Sequence, residues 1–156
     1  MVKKAHTDKN LVLVNTHSQK VVYLSPTCAG KKHDKKQADE ACILYPAGAT
    51  LGKDTGFQGY TPIGIHAWQP KKKPKGRPLS VQDKHFNKLL SSARIVVEHT
   101  LSGVKRAHIV TDVFRNTKNG FSDTVMETAC ALHNLRLHFR HPIPSLNLLA
   151  LVSYSE

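Results

Sequence analysis

Glu98 carries Arg94 one helical turn before it and Lys105 two turns after it, so a helix would hold the three side chains in one sector. Far upstream, Asp54 closes a short apolar stretch in the run Thr50-Leu51-Gly52-Lys53-Asp54-Thr55-Gly56-Phe57-Gln58-Gly59-Tyr60. A carboxylate that ends a strand before a Gly-x-x-Gly turn has little structural work there. Two carboxylates brought together repel unless a cation lies between them. Magnesium, which takes a few carboxylates along with water and phosphate oxygens, meets that need. Such ions, used in pairs, activate a water or hydroxyl and stabilise the leaving oxygen of a phosphodiester. Arg94 and Glu98 taken alone read as a surface ion pair worth roughly a few tenths of a kcal/mol. Asp54 moves the reading toward metal and phosphate, with Arg94 and Lys105 facing a nucleic-acid backbone rather than a carboxylate.

The elements that must position these residues follow from the pattern. Residues 11–14 and 21–24 are aliphatic runs joined by a polar segment, the signature of two antiparallel strands. Pro26 and Gly30 break the chain, and a helix starts within 32–41, where Asp34 is placed to cap the first turn. Pro46, Gly48 and Gly52 frame the short strand that delivers Asp54, and Ile63 to Trp68 reads as a further strand. Pro70-Lys71-Lys72-Lys73-Pro74-Lys75-Gly76-Arg77-Pro78 suits neither a helix nor a strand interior and reads as a solvated basic loop. Ser80 caps a long helix to about Val104, with Phe86, Leu90, Ala93, Val97, Leu101 and Val104 as its apolar stripe. A second helix runs from Ser122 to about Phe139, with Val125, Ala129, Leu132 and Leu135 inward. The apolar tail 142–156 finds no place in this scheme.

At 156 residues, 40% of them hydrophobic, the chain can bury one domain core. Its 23 Lys and Arg against 11 Asp and Glu leave a formal charge of +12, which attracts polyanions. The ten histidines are scattered without metal-ligand spacing, which argues against a structural zinc site. Three widely spaced cysteines (Cys28, Cys42, Cys130) argue against a disulfide framework and for a reducing compartment, cytoplasmic or nuclear. Neither apolar run is long enough to span a membrane, and the N-terminus lacks a signal-like core.

The order and spacing of these pieces carry a resemblance. Asp54-x-Gly-Phe-x-Gly-Tyr, Gln69-Pro70-Lys71-Lys72-Lys73 and Arg94-x-x-x-Glu98-His99-x-x-x-Gly103-x-Lys105-Arg106 resemble the DDE superfamily of transposases and endonucleases, in its insertion-sequence and Harbinger-type branch. His6-Thr7-x-Lys9-Asn10, Gly30-x-x-His33-Asp34-Lys35 and Ala131-Leu132-His133-Asn134 match the same branch. The likeness covers about residues 3 to 140, so residues 1–141 read as a partial catalytic domain. It implies an α/β, ribonuclease-H-like fold: a mixed sheet flanked by helices. It also implies a site in which three acids hold two magnesium or manganese ions that cut DNA and transfer a strand. Asp54 matches the second acid and Glu98 the third, both catalytic and metal-binding by this likeness. Ser91 stands where the family often has a tyrosine, so the phosphate contact that the resemblance implies there is not expected of this chain.

The first acid is the larger departure. In the family it ends the first strand, upstream of the His-Thr-x-Lys-Asn segment, and this chain starts too close to His6 to hold that strand. Asp8 and Asp34 are the nearby acids that could replace it. Losing a strand from inside the sheet should leave backbone groups unpaired and an edge exposed.

Two readings therefore compete. One is an incomplete transposase or endonuclease core, acting on DNA as a homodimer or larger assembly. The other is a remnant that holds DNA without cutting it, through Lys71, Lys72, Lys73, Lys75, Arg77, Lys105, Arg106 and Arg115. A third reading, a basic RNA-binding protein of ribosomal type, rests on composition alone.

Overall fold

A computed structural model describes residues 8–112, 116, 118–140 and, for the backbone only, 149–155. Strands β1 (Asp8–Asn15) and β2 (Lys20–Leu24) form the expected antiparallel pair, with Asn15 capping the turn between them by accepting from the His17 and Ser18 amides. β3 (Cys28–Ala29) lines the same side of β1 further along. At the break between them Ser25 stands in for a strand partner. Its hydroxyl accepts from the Leu11 amide at 2.8 Å and its own amide donates to the Leu11 carbonyl.

Helix α1 (Asp34–Ala41) follows, and its cap differs from the expected one. His33 is the N-cap and its ring accepts from the Lys35 amide, while Asp34 is drawn away into an ion pair with Lys9 at 2.5 Å. β4 (Thr50–Lys53) and β5 (His66–Trp68) pair in parallel. The expected strand from Ile63 is shorter because Gly64 adopts a positive φ of 78°, and Ile63 lies in solvent. α2 (Val81–Val104) is capped by the Ser80 hydroxyl, which accepts from the Asp83 amide at 3.0 Å.

The sheet order is β2-β1-β6-β4-β5, with β3 paired to β1. The central strand β6 (Leu149–Ser155) comes from the tail that sequence reasoning left unplaced. It pairs antiparallel with β1 over Lys9–Asn15 and parallel with β4 over Leu51–Lys53. This corrects the expectation of an unpaired edge inside the sheet: a seven-residue strand that opens on Leu149-Ala150-Leu151-Val152 supplies ladder partners there.

Alternate residues of β1 serve two cores. Val12, Val14 and Val21 pack with Val97, Val104, Val110, Val125, Met126, Ala129 and Cys130, joining α2 and α3 (Phe121–His138) to one side of the sheet. Leu11, Leu13 and Leu51 pack with Ala38, Phe57 and Tyr60 on the other side, under α1. α3 is rotated from its expected setting. Val125 and Ala129 are inward, but Leu132 and Leu135 are more than half exposed, while Met126, Cys130 and His133 turn inward. The cause is polar. His133 donates from Nε2 to the Gln19 carbonyl at 3.1 Å, and Asn134 brackets Val21, accepting from its amide at 2.9 Å and donating to its carbonyl at 2.8 Å. Three hydrogen bonds from adjacent side chains fix the helix rotation against the strand, and an apolar ranking cannot foresee them.

Candidate metal and nucleic-acid site

Local structure sets each acid. Asp54 follows β4 and caps a 3-10 turn, Thr55–Phe57, where its carboxylate accepts from the Thr55 amide at 2.7 Å. Asp54 thus has the structural role that the sequence had denied it. The rest of its motif is also structural. Phe57 and Tyr60 are core residues, and Gly59 takes a positive φ of 82°. A Cβ at Gly56 would come within 2.5 Å of the Asp34 carboxylate, so any larger residue there would have to displace that carboxylate from its pair with Lys9.

Glu98 projects from the C-terminal half of α2, and Arg94 lies between the two acids. Its Nε donates to Glu98 Oε1 at 3.1 Å, and its Nη1 is 3.9 Å from Asp54 Oδ1. Asp54 and Glu98 therefore stand on one side of the molecule around a single guanidinium. Arg94 pairs with both carboxylates here, including the Arg94–Glu98 ion pair that the helical spacing offers. All three side chains are solvent-accessible, from 38% for Asp54 to 62% for Arg94, so these ion pairs are weak and open to exchange with an incoming ligand.

No group of three His, Cys, Asp or Glu side chains is placed to hold a metal among the described residues. Asp34 is engaged by Lys9, and Asp8 accepts from the Ser122 hydroxyl at 3.2 Å, so neither replacement acid joins the pair. Among the described residues two accessible carboxylates share this place, without the third acid that a two-ion, three-acid arrangement needs.

The basic loop is anchored where it meets α2. Asn87 accepts from the Lys71 amide at 2.9 Å and donates to the Lys71 carbonyl at 3.0 Å. Lys71 Nζ pairs with Asp83 at 2.6 Å, and that bond, followed by one from Ser80, holds the Asp83 carboxyl below its ordinary pKa. Trp68 packs on Phe86 with ring centroids 5.5 Å apart, and Gln69 donates to the Asp54 carbonyl at 3.2 Å. Lys71 is thus partly committed to a carboxylate, and Lys72 donates to the Gln58 side chain at 3.0 Å. Lys73, Lys75 and Arg77 are exposed on the same loop. Lys105 caps the C-terminus of α2 through its amide, and Arg106 follows it on the surface. His6, Thr7 and Arg115 lie outside the described residues.

The motif around Gly103 has a geometric reason too. Gly103 lies against the imidazole of His133, so the Glu98 motif on α2 and the Leu132-His133-Asn134 motif on α3 meet at the helix crossing. Neither motif shows that contact when read separately.

Comparison with known proteins adds to this geometry. The family model described as DDE superfamily endonuclease matches residues 1–134, and the chain belongs to that family. The chain is also similar to a protein of Microchaete diplosiphon described as "Probable transposase for insertion sequence element IS702", 29% identical over 116 residues. The match covers 74% of this chain and 42% of the relative, so the chain spans less than half the length of that curated protein. No solved structure matches it.

Proposed function

We propose that this chain is part of the catalytic core of a DNA transposase, with a ribonuclease-H-like sheet and an endonuclease site built on Asp54 and Glu98. The observation that carries this reading is the convergence of both carboxylates on Arg94. Arg94 occupies the place a divalent cation would take and neutralises the pair when no metal is bound. When DNA arrives, its phosphate competes for that guanidinium, which forks onto phosphate as readily as onto carboxylate. Asp54 and Glu98 are then released toward magnesium or manganese. A bound ion would supply an activated water or hydroxyl and stabilise the leaving oxygen. Lys72, Lys73, Lys75, Lys105 and Arg106 hold the DNA backbone nearby.

A second reading is favoured by one observation: no third ligand joins the two acids among the described residues. Under it the chain grips DNA and does not cut. Supercoiled plasmid, incubated with magnesium or manganese, separates the two. Nicking that disappears in both Asp54→Ala and Glu98→Ala supports the endonuclease. Metal-independent binding with intact plasmid leaves the DNA-binding reading.

A further inference from the structure

Three arginines gather at the surface where α2 ends. Arg106 follows the C-terminus of α2, while Arg136 and Arg140 lie one turn apart at the end of α3. The Gly103–His133 contact sets the spacing between the helices. Arg106 lies three residues past Gly103 and Arg136 three residues past His133, so both follow this crossing closely, near enough for the charges of Arg106 and Arg140 to act on Arg136. Arg106 and Arg140 are exposed and Arg136 is half-buried. Partial desolvation, and then the charges of Arg106 and Arg140, lower the pKa of Arg136; all three arginines also act on buried His133. Among the described residues no carboxylate pairs with any of them.

A helix C-terminus favours one or two cations within its last turn. That accounts for charges on α3. It does not account for a third arginine brought in from α2 against their repulsion. Like charges held together without a counter-ion among the described residues call for an anion from outside, and guanidinium forks match phosphate oxygens. We propose that Arg106, Arg136 and Arg140 form a docking surface for the phosphate backbone of duplex DNA, separate from the lysine loop at the other end of α2. The proposal rests on the transposase reading for its choice of nucleic acid. It adds the second anchor that fixes the duplex along α2, past Glu98.

The test is fluorescence anisotropy of a labelled duplex over a potassium chloride series in EDTA, so that metal and cleavage play no part. Each arginine–phosphate pairing removed should flatten the slope of log K against log salt by about 0.9, so the Arg106→Gln/Arg136→Gln/Arg140→Gln variant should flatten it by about 2.7. The corresponding triple lysine variant should keep the wild-type slope. Lys36→Gln, on α1 across the sheet, should also leave it unchanged. If the glutamine triple does not melt cooperatively, Arg140→Gln alone takes its place, with an expected flattening of about 0.9. A wild-type slope in the glutamine variant overturns this surface and leaves the transposase reading standing. Tighter binding of a poly-glutamate peptide than of duplex overturns it in favour of an acidic protein partner. Wild-type protein that binds no duplex at all overturns both.

Discussion

Gly103→Ala tests the helix crossing on which the candidate site depends. Alanine in a helix interior is worth about 1 kcal/mol over glycine, so the substitution would stabilise an unobstructed helix. Here a Cβ would lie 2.5 Å from His133 Cε1 and closer still to Nδ1, nearer than side chains approach. Overpacking of this kind costs about 1–3 kcal/mol. The imidazole cannot yield freely, because its Nε2 bond to the Gln19 carbonyl would be lost, at about 1 kcal/mol more. The balance is a net loss of about 2 kcal/mol, or a fall in Tm of about 4–8 °C for a chain of this size. Urea unfolding of a double-mutant cycle with His133→Ala isolates the cause. With the ring gone, Gly103→Ala should be neutral or stabilising by up to about 1 kcal/mol, giving a coupling of about 2–3 kcal/mol. Equal destabilisation in both backgrounds, with coupling below about 0.5 kcal/mol, would refute the claimed contact.

Three further outcomes are expected. Burial holds the His133 pKa below its ordinary value of 6.5, so the unfolded chain binds the proton more readily. Its contribution to stability is complete above pH 6.5 and is lost as pH falls through the depressed folded pKa, a dependence that His133→Gln should remove from the pH profile of Tm. Val152→Pro puts a proline inside the strand between β1 and β4 and should cost about 3 kcal/mol or more in urea unfolding; a loss below about 1 kcal/mol would show that the strand is not central. Arg94→Gln breaks only solvent-exposed pairs and should change stability by less than about 0.5 kcal/mol, while making the melting temperature rise more with added manganese than in the wild type. A manganese response equal to that of the wild type would mean that Arg94 does not occupy a cation position.

Much of the scaffold could be read from local signals. β1 and β2 are β-branched runs with a polar turn, Ser80 is a strong cap, and α2 repeats its apolar residues at helical steps. Each of these depends on residues close together in the chain. What escaped depends on distant partners. The rotation of α3 is set by Asn134 and His133 reaching β2 and the turn before it, so leucines at 132 and 135 gave a false inward face. β6 was illegible because an apolar run without caps or turn residues carries no sign of which ladder it will join. At the site, the strand end at Asp54 and the helix under Glu98 were legible. The capping bond of Asp54 and the bridging position of Arg94 were not, since both follow from backbone directions that sequence does not carry.

Among the described residues the two halves of the sheet, β2-β1 with β3 and β4-β5, touch in the ladder only through β6. Lys9 is paired with Ser155, so almost the whole chain must be looped before this seam can close. Closing so long a loop costs entropy before any contact repays it, and folding dominated by such pairs is slow. The strand that delivers Asp54 should therefore lock against the rest of the protein late, after the local hairpin and helices have formed. Hydrogen exchange during refolding should show β1–β2 amides protected first and those of β4 last.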